Sequence, residues 1–105
     1  MEQKVRLSDY DVAQIIVAFK EHFGPEDHLW LFGSRVDLTK RGGDIDLYVE
    51  TVESLSSAVN RRTAFVTDLW EKIGEQRIDV VLKVATDTSD LLIYEVAKNE
   101  GVQLV

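Results

Sequence analysis

Two aspartates, Asp44 and Asp46, stand two residues apart in a segment that alternates polar and apolar side chains. In a β-strand, alternate side chains share one face and lie about 6.6–6.8 Å apart along it, so both carboxylates are expected to point the same way. This spacing suits two ligands of one cation, or of a pair of cations about 3.5–4 Å apart. Because the donors are hard oxygens, Mg²⁺ or Mn²⁺ is favoured over zinc.

A third carboxylate, Asp79, lies in a later alternating segment and falls on its polar side. If the two segments form neighbouring strands, three carboxylates meet at one spot. Like charges held together repel one another, so a bound cation gives them a physical reason to cluster.

The tripeptide Gly33-Ser34-Arg35 directly follows the apolar run at residues 29–32. Glycine permits a sharp turn and a close approach of the backbone to a ligand. The exposed N–H groups of such a turn, together with the Ser34 hydroxyl, can bind phosphate oxygens, and Arg35 can add a charge-assisted contact. A phosphate cradle that faces a carboxylate–metal site is the equipment for phosphoryl or nucleotidyl transfer, with a carboxylate such as Asp79 taking the proton of the incoming hydroxyl.

Each of these features alone has an ordinary structural explanation. Gly33-Ser34-Arg35 alone is a turn, and Asp44 and Asp46 alone are a solvated rim of a hairpin. The combination, in this order and on strands that alternate correctly, favours the functional interpretation.

The hydrophobic pattern predicts the element order α-β-β-α-β-α. Ser8 is expected to cap the first helix and Gly24 to end it, and Gly74 is expected to end the longest helix. The predicted strands are residues 29–32, 44–50 and 77–84, and the later helices are residues 55–73 and 91–98. This pattern predicts a small α/β (α+β) fold with a mixed sheet, helices packed on one apolar face, and the second and third strands joined through the long helix.

A few residues fall outside the main pattern. Arg62 interrupts the apolar stripe of the long helix, and its side chain is expected either to extend over the core or to reach the site. Trp30 and Trp70 are predicted to be core residues, whereas His22 and His28 are predicted to be isolated surface residues.

Composition sets the class of protein. The 105 residues are enough for a single domain spanning 1–105, and the N-terminus does not resemble a signal peptide. A net charge of −7 argues against direct nucleic-acid binding, and no apolar stretch is long enough for a membrane span. The absence of cysteine excludes thiolate metal sites and fits a cytoplasmic location.

Three segments together resemble the minimal nucleotidyltransferases of the DNA polymerase beta-like superfamily: residues 31–35 (LFGSR), 44–47 (DIDL) and 77–81 (RIDVV). The resemblance implies the nucleotidyltransferase fold and transfer of a nucleoside monophosphate from a triphosphate, ATP as substrate, with two Mg²⁺ ions. It implies that Gly33, Ser34 and Arg35 bind the nucleotide and that Asp44, Asp46 and Asp79 hold the metals and carry catalysis, with Asp79 as the base.

The same resemblance implies a partner, because many minimal members are encoded beside a HEPN-domain protein. In such toxin–antitoxin pairs the nucleotidyltransferase is the antitoxin and adds AMP to a tyrosine of the HEPN ribonuclease toxin. Two alternatives remain open at this stage. One is a non-catalytic nucleotide-binding antitoxin that neutralises its HEPN partner by contact alone. The other is a small-molecule nucleotidyltransferase, which the lack of room for a second substrate-binding domain disfavours.

Overall fold

The computed structural model describes residues 5–37 and 43–105. These form three helices, four strands and one 3₁₀ turn within the described part of the chain. In chain order the elements are α1 (Asp9–His22), β1 (His28–Phe32), the 3₁₀ turn (Gly33–Val36), β2 (Ile45–Thr51), α2 (Leu55–Ile73), β3 (Ile78–Val84), α3 (Leu92–Glu100) and β4 (Val102–Gln103).

The helix ends follow from short-range chemistry. Ser8 caps α1 by accepting a hydrogen bond from the Asp11 N–H, and Ser54 caps α2 in the same way through Ser57. Gly74 ends α2 at a φ of 92°, a conformation that favours glycine. The predicted bounds of α2, residues 55–73, are confirmed, since both of its ends carry strong local signals.

The four strands form one mixed sheet in the order β3-β2-β1-β4. Strand β1 pairs antiparallel with both β2 and β4, whereas β2 and β3 pair in parallel. A parallel pair needs a long crossover, and α2 provides it, as the sequence predicts. The predicted small α/β class with a mixed sheet is therefore confirmed.

One face of the sheet carries the larger core. Alternate residues of β1 and β2 pack there against α1 and α2. The rings of Phe19, Phe23 and Phe65 join the two helices, with the Phe19–Phe65 and Phe23–Phe65 centroids 6.0 and 5.9 Å apart in edge-to-face geometry. All of these core residues are buried: Leu29, Leu31, Ile45, Leu47 and Val49 from the strands, Ile15, Phe19, Phe65 and Leu69 from the helices, and Phe23 directly after α1.

The third helix corrects the prediction that the helices pack on one face. Helix α3 covers the opposite face, where Tyr94 and Ala97 pack against the aromatic residues Trp30, Phe32 and Tyr48. Tyr48, predicted on the polar face of its strand, is fully buried there. The physical reason is that Trp30 and Tyr48 alternate onto this second face and need an apolar cover, which the amphipathic α3 provides.

One further expectation differs from the structure. Trp70 is 39% exposed at the outer side of α2, so its prediction as a core residue is wrong, whereas that for Trp30 is confirmed. Directly after Gly101, Val102–Gln103 form β4, which pairs with β1 at the edge of the sheet. Within residues 5–37 and 43–105, no helix combines the length and the apolar character needed to cross a membrane.

Candidate active site at one end of the sheet

The strand register places the predicted carboxylates side by side. Phe32 at the end of β1 pairs with Asp46 of β2, and Asp46 pairs with Asp79 of β3. Neighbouring strands lie about 4.8 Å apart, and directly paired residues direct their side chains to the same face. The prediction that Asp79 lies on the strand next to Asp46 is therefore confirmed, and Asp44 lies one residue before β2 at the same end.

The guanidinium group of Arg77 lies between two of these carboxylates. The Arg77 Nε atom is 3.4 Å from Asp44 Oδ2 and 3.7 Å from Asp79 Oδ2. The side chains of Asp44 and Asp79 are 46% and 52% exposed, so water can reach both. Arg77 is a site residue that sequence reasoning missed, although its position two residues before Asp79 in a strand places it on the same face.

Asp46 is half-buried. Burial raises the pKa of its carboxyl group above the usual value, and the charges of Asp79 and Asp44 raise this pKa further, while Arg77 partly opposes them. Desolvation and like charges both disfavour the ionised form. A divalent cation bound beside Asp46 would therefore offset the repulsion between this carboxylate and those of Asp44 and Asp79.

Gly33 makes room for the Asp46 carboxylate. It begins the 3₁₀ turn at a φ of 77°, directly after β1. A Cβ atom built at this position would overlap Asp46 Oδ2 and lie 3.2 Å from the Asp46 Cγ atom. Both the positive φ and the close approach therefore require glycine at position 33.

Ser34 and Arg35, the other two predicted nucleotide ligands, lie in the 3₁₀ turn, and their side chains contact backbone carbonyl oxygens. The Ser34 hydroxyl lies 3.5 Å from the Asp44 carbonyl oxygen. The guanidinium of Arg35 donates to the carbonyl oxygens of Gly43 (3.2 Å) and Arg6 (2.9 Å). Arg35 thus ties the turn to the segments on either side of it, and a contact with nucleotide stays a prediction.

Arg6 is a second site residue that sequence reasoning missed. Its guanidinium donates to the Ser34 carbonyl oxygen, at 2.6 Å from Nη2, and to the Asp37 carbonyl oxygen, at 2.9 Å from Nε. These bonds satisfy carbonyl groups of the 3₁₀ turn and fix its orientation beside the carboxylates. The partners are separated by 28 and 31 residues, so no local pattern signals the contact.

Two depressions flank the carboxylate group. The first, about 440 Å³, lies between the 3₁₀ turn and α3 and is lined by Phe32, Gly33, Val36, Asp37, Val96 and Glu100. The second, about 430 Å³, lies between α2 and the outer edge of β3 and includes Asp79. The carboxylates therefore stand between a space beside the turn and a space beside the free edge of the sheet.

A different carboxylate cluster lies on the helices. The ligand atoms of Glu21, His22 and Asp68 all lie within 4.8 Å of one another. His22 Nε2 lies 3.0 Å from Asp68 Oδ2, so the prediction that His22 is isolated is wrong. The Lys72 ammonium lies 3.0 Å from Asp68 and 3.8 Å from Glu21, so it offsets part of the negative charge of these two carboxylates.

The chain was compared with known proteins. No family model matches it, and no curated protein matches it. The resemblance to minimal nucleotidyltransferases therefore rests on the three sequence segments that carry it.

Proposed function

We propose that this chain is a Mg²⁺-dependent nucleotidyltransferase that transfers AMP from ATP to a tyrosine hydroxyl of a cognate HEPN ribonuclease toxin, and so acts as a cytoplasmic antitoxin. The observation that supports it most directly is the register Phe32–Asp46–Asp79 across three neighbouring strands. That register brings the Gly33 turn and the three carboxylates to one end of the sheet, as transfer chemistry requires.

The donor set fits Mg²⁺ or Mn²⁺. Asp44, Asp46 and Asp79 offer only hard carboxylate oxygens, and the raised pKa of Asp46 marks a negative site that Arg77 compensates only in part. When bound, two such ions would supply electrostatic stabilisation of the charge that develops on the transferred phosphoryl group. Arg77, which bridges Asp44 and Asp79 here, would have to release them to the ions.

The protein residues have separate tasks in this proposal. Gly33 and Ser34 hold the β- and γ-phosphates, and Arg35 supports the turn that presents them. Asp79, half exposed and reachable by an acceptor, takes the proton of the tyrosine hydroxyl. The tyrosine oxygen forms a bond to the α-phosphorus, the bond between the α-phosphorus and the bridging oxygen breaks, and pyrophosphate leaves.

The test is intact-protein mass spectrometry of the HEPN partner after incubation with this chain, ATP and Mg²⁺. The expected result is a mass increase by whole AMP units that disappears with Asp46→Asn and with a chelator. Asp90→Asn is the matched control: it removes the same charge from an exposed position outside the site and should transfer AMP at the wild-type rate.

Two results would overturn the proposal. Transfer that survives Asp46→Asn would remove the assigned mechanism. A stable complex that silences the ribonuclease with no mass increase, and equally well with the Asp44→Asn/Asp46→Asn double variant, would establish the non-catalytic antitoxin instead.

A further inference from the structure

Among the strands of the described ranges, β3 is outermost on one side of the sheet, and its outer edge lies beside a groove. Helix α2 forms the other wall, and the groove measures about 430 Å³. The helix contributes an exposed aromatic ring, two threonines and one cation. We call this space the edge groove; its lining residues are Arg62, Thr63, Val66, Thr67, Trp70, Ile78, Asp79 and Val80.

The backbone of β3 presents hydrogen-bonding groups to the edge groove. The N–H and C=O of one strand residue point to the same side, and the side alternates along the strand. Because the Arg77 carbonyl oxygen accepts from the Ile45 N–H of β2 at 3.1 Å, the groups of Ile78, Val80 and Leu82 point away from β2. Within the described ranges, one hydrogen bond reaches these outward groups: Arg62 Nη1 lies 3.4 Å from the Val80 carbonyl oxygen. Such an edge is a template for an added strand.

The order of the elements across the sheet places the edge groove on the acceptor side of the reaction. From one side to the other stand the Gly33 turn after β1, the carboxylates of β2, Asp79 of β3, and then the groove. In phosphoryl transfer the attacking oxygen and the leaving oxygen lie roughly in line on opposite sides of the phosphorus. If the leaving pyrophosphate occupies the Gly33 side, the attacking hydroxyl must approach from the side of Asp79 and the groove.

Charge narrows the choice of occupant. The chain carries a net charge of −7, and Asp79 lines the groove, with Asp46 paired to it on the neighbouring strand. A phosphate backbone or a second copy of this acidic chain would meet like charge there. Trp70, held by a hydrogen bond from its Nε1 to the Gln76 carbonyl oxygen at 2.8 Å, offers a fixed ring face for packing against an apolar or aromatic side chain.

We propose that an extended, neutral or basic segment of the partner protein pairs with β3 as an added strand and delivers its tyrosine hydroxyl to Asp79. Alternate side chains of such a strand point to opposite faces of the sheet. One set packs in the edge groove against α2, and the tyrosine lies on the α3 face, where the register places Asp79 beside Asp46. This inference rests on the proposed function for the transfer step. The docking geometry is argued separately, from the outer edge of β3, the edge groove and the position of Asp79.

The variants for the test lie on the helical wall. Thr67→Arg fills the groove from an exposed helix position and leaves the β3 backbone unchanged. Ala64→Arg adds the same charge to an exposed position of α2 that lines a different depression, and it serves as the matched control. Both changes are compatible with a helix, because arginine is a good helix former.

The experiment measures amide hydrogen exchange of this chain, free and in complex with the purified HEPN partner, together with AMP transfer in the same samples. The Val80 and Leu82 amides are expected to exchange at least about ten-fold more slowly in the complex, because an added strand would engage them. The amides of Asp79 and Val81, which face β2, provide the internal reference. Thr67→Arg is expected to raise the KM for the partner by about ten-fold or more, and Ala64→Arg to leave it unchanged.

The outcomes separate the two proposals. AMP transfer without protection of Val80 and Leu82, or with full activity of Thr67→Arg, would overturn the edge-groove inference and leave the proposed function standing. Protection of both amides without any transfer would overturn the proposed function and support the docking geometry. Failure of the partner to bind would overturn both.

Discussion

The contact between Gly33 and Asp46 gives the sharpest quantitative prediction. A Cβ at position 33 would overlap Asp46 Oδ2 and lie 3.3 Å from the Asp46 Cβ. Gly33→Ala therefore imposes two costs: a side chain at a φ of 77°, and displacement of the carboxylate. The backbone cost is about 1–3 kcal/mol, and overpacking adds about 1–3 kcal/mol. The sum is a large share of the roughly 5–15 kcal/mol stability of a small domain.

Two controls separate these costs. Gly74 also has a positive φ, 92°, but an added Cβ there meets nothing within 4 Å, so Gly74→Ala reports backbone strain without a clash. Asp46→Ala removes the overlapped oxygen, and a double-mutant cycle with Gly33→Ala isolates the steric term. We expect a coupling energy of about 1–3 kcal/mol between positions 33 and 46, and about zero between positions 74 and 46.

The assay is urea denaturation without divalent ions and at one pH. The proteins are the wild type, Gly33→Ala, Asp46→Ala and the double variant of positions 33 and 46. Gly74→Ala, alone and combined with Asp46→Ala, is measured in the same way. Coupling is read from the midpoints, provided that the slope m is unchanged. Coupling below about 0.5 kcal/mol between positions 33 and 46 would refute the argument that Gly33 is needed for the carboxylate, because distant independent sites show additivity to within that margin.

Three further predictions concern stability. Because the pKa of Asp46 is raised in the folded chain, the contribution of this group to stability is fully present below the unfolded value of 3.8 and is lost as pH rises through the folded pKa. In chelator, Asp46→Asn should therefore be more stable than wild type at pH 7 and equal to it near pH 3 in urea titrations, and a less stable variant at pH 7 would contradict this. Phe65→Ala should lower the free energy of unfolding by about 3–5 kcal/mol. Because the Trp70 side chain is 39% exposed, Trp70→Ala should lower it by at least about 1 kcal/mol less in the same assay. Equal losses would contradict the burial assignment. Gly101→Ala should lose at least about 1–3 kcal/mol, because its Cβ would lie 2.7 Å from the rigid Leu31 carbonyl oxygen, and an unchanged denaturation midpoint would show that α3 and β1 can separate.

Local signals explain how much of the fold could be predicted from the sequence. Ser54 and Gly74 mark both ends of α2, and the alternation in β2 and β3 places Asp46 and Asp79 on one face. The same alternation wrongly placed Tyr48 with the polar residues. Its burial depends on α3, which begins more than 40 residues later in the chain, and period-2 alternation cannot show which of two faces a distant helix will cover.

In the candidate site, too, local sequence signals predict some features, whereas contacts between distant residues cannot be predicted. The residue types and spacing of Asp44, Asp46 and Asp79 were sufficient to predict that they meet, because one crossover helix and one register decide it. The contacts of Arg6 could not be predicted, since they join residues about 30 positions apart without any repeating pattern. A side chain that donates hydrogen bonds to the backbone carbonyl groups of a distant turn carries no signature in the sequence.

The electrostatics of Asp46 favour the proposal that Asp44, Asp46 and Asp79 bind a cation. The burial of Asp46 beside Asp44 and Asp79 disfavours the charged form that dominates in water. An amide of the same shape would remove that repulsion. A cation that binds the folded chain alone stabilises it by RT ln(1 + [L]/Kd), about 2.7 kcal/mol at a hundred-fold excess over Kd. Saturating Mg²⁺ or Mn²⁺ should therefore reverse the order, making wild type more stable than Asp46→Asn at pH 7. If Asp46→Asn keeps its advantage with both ions, the carboxylates do not form a divalent-cation site.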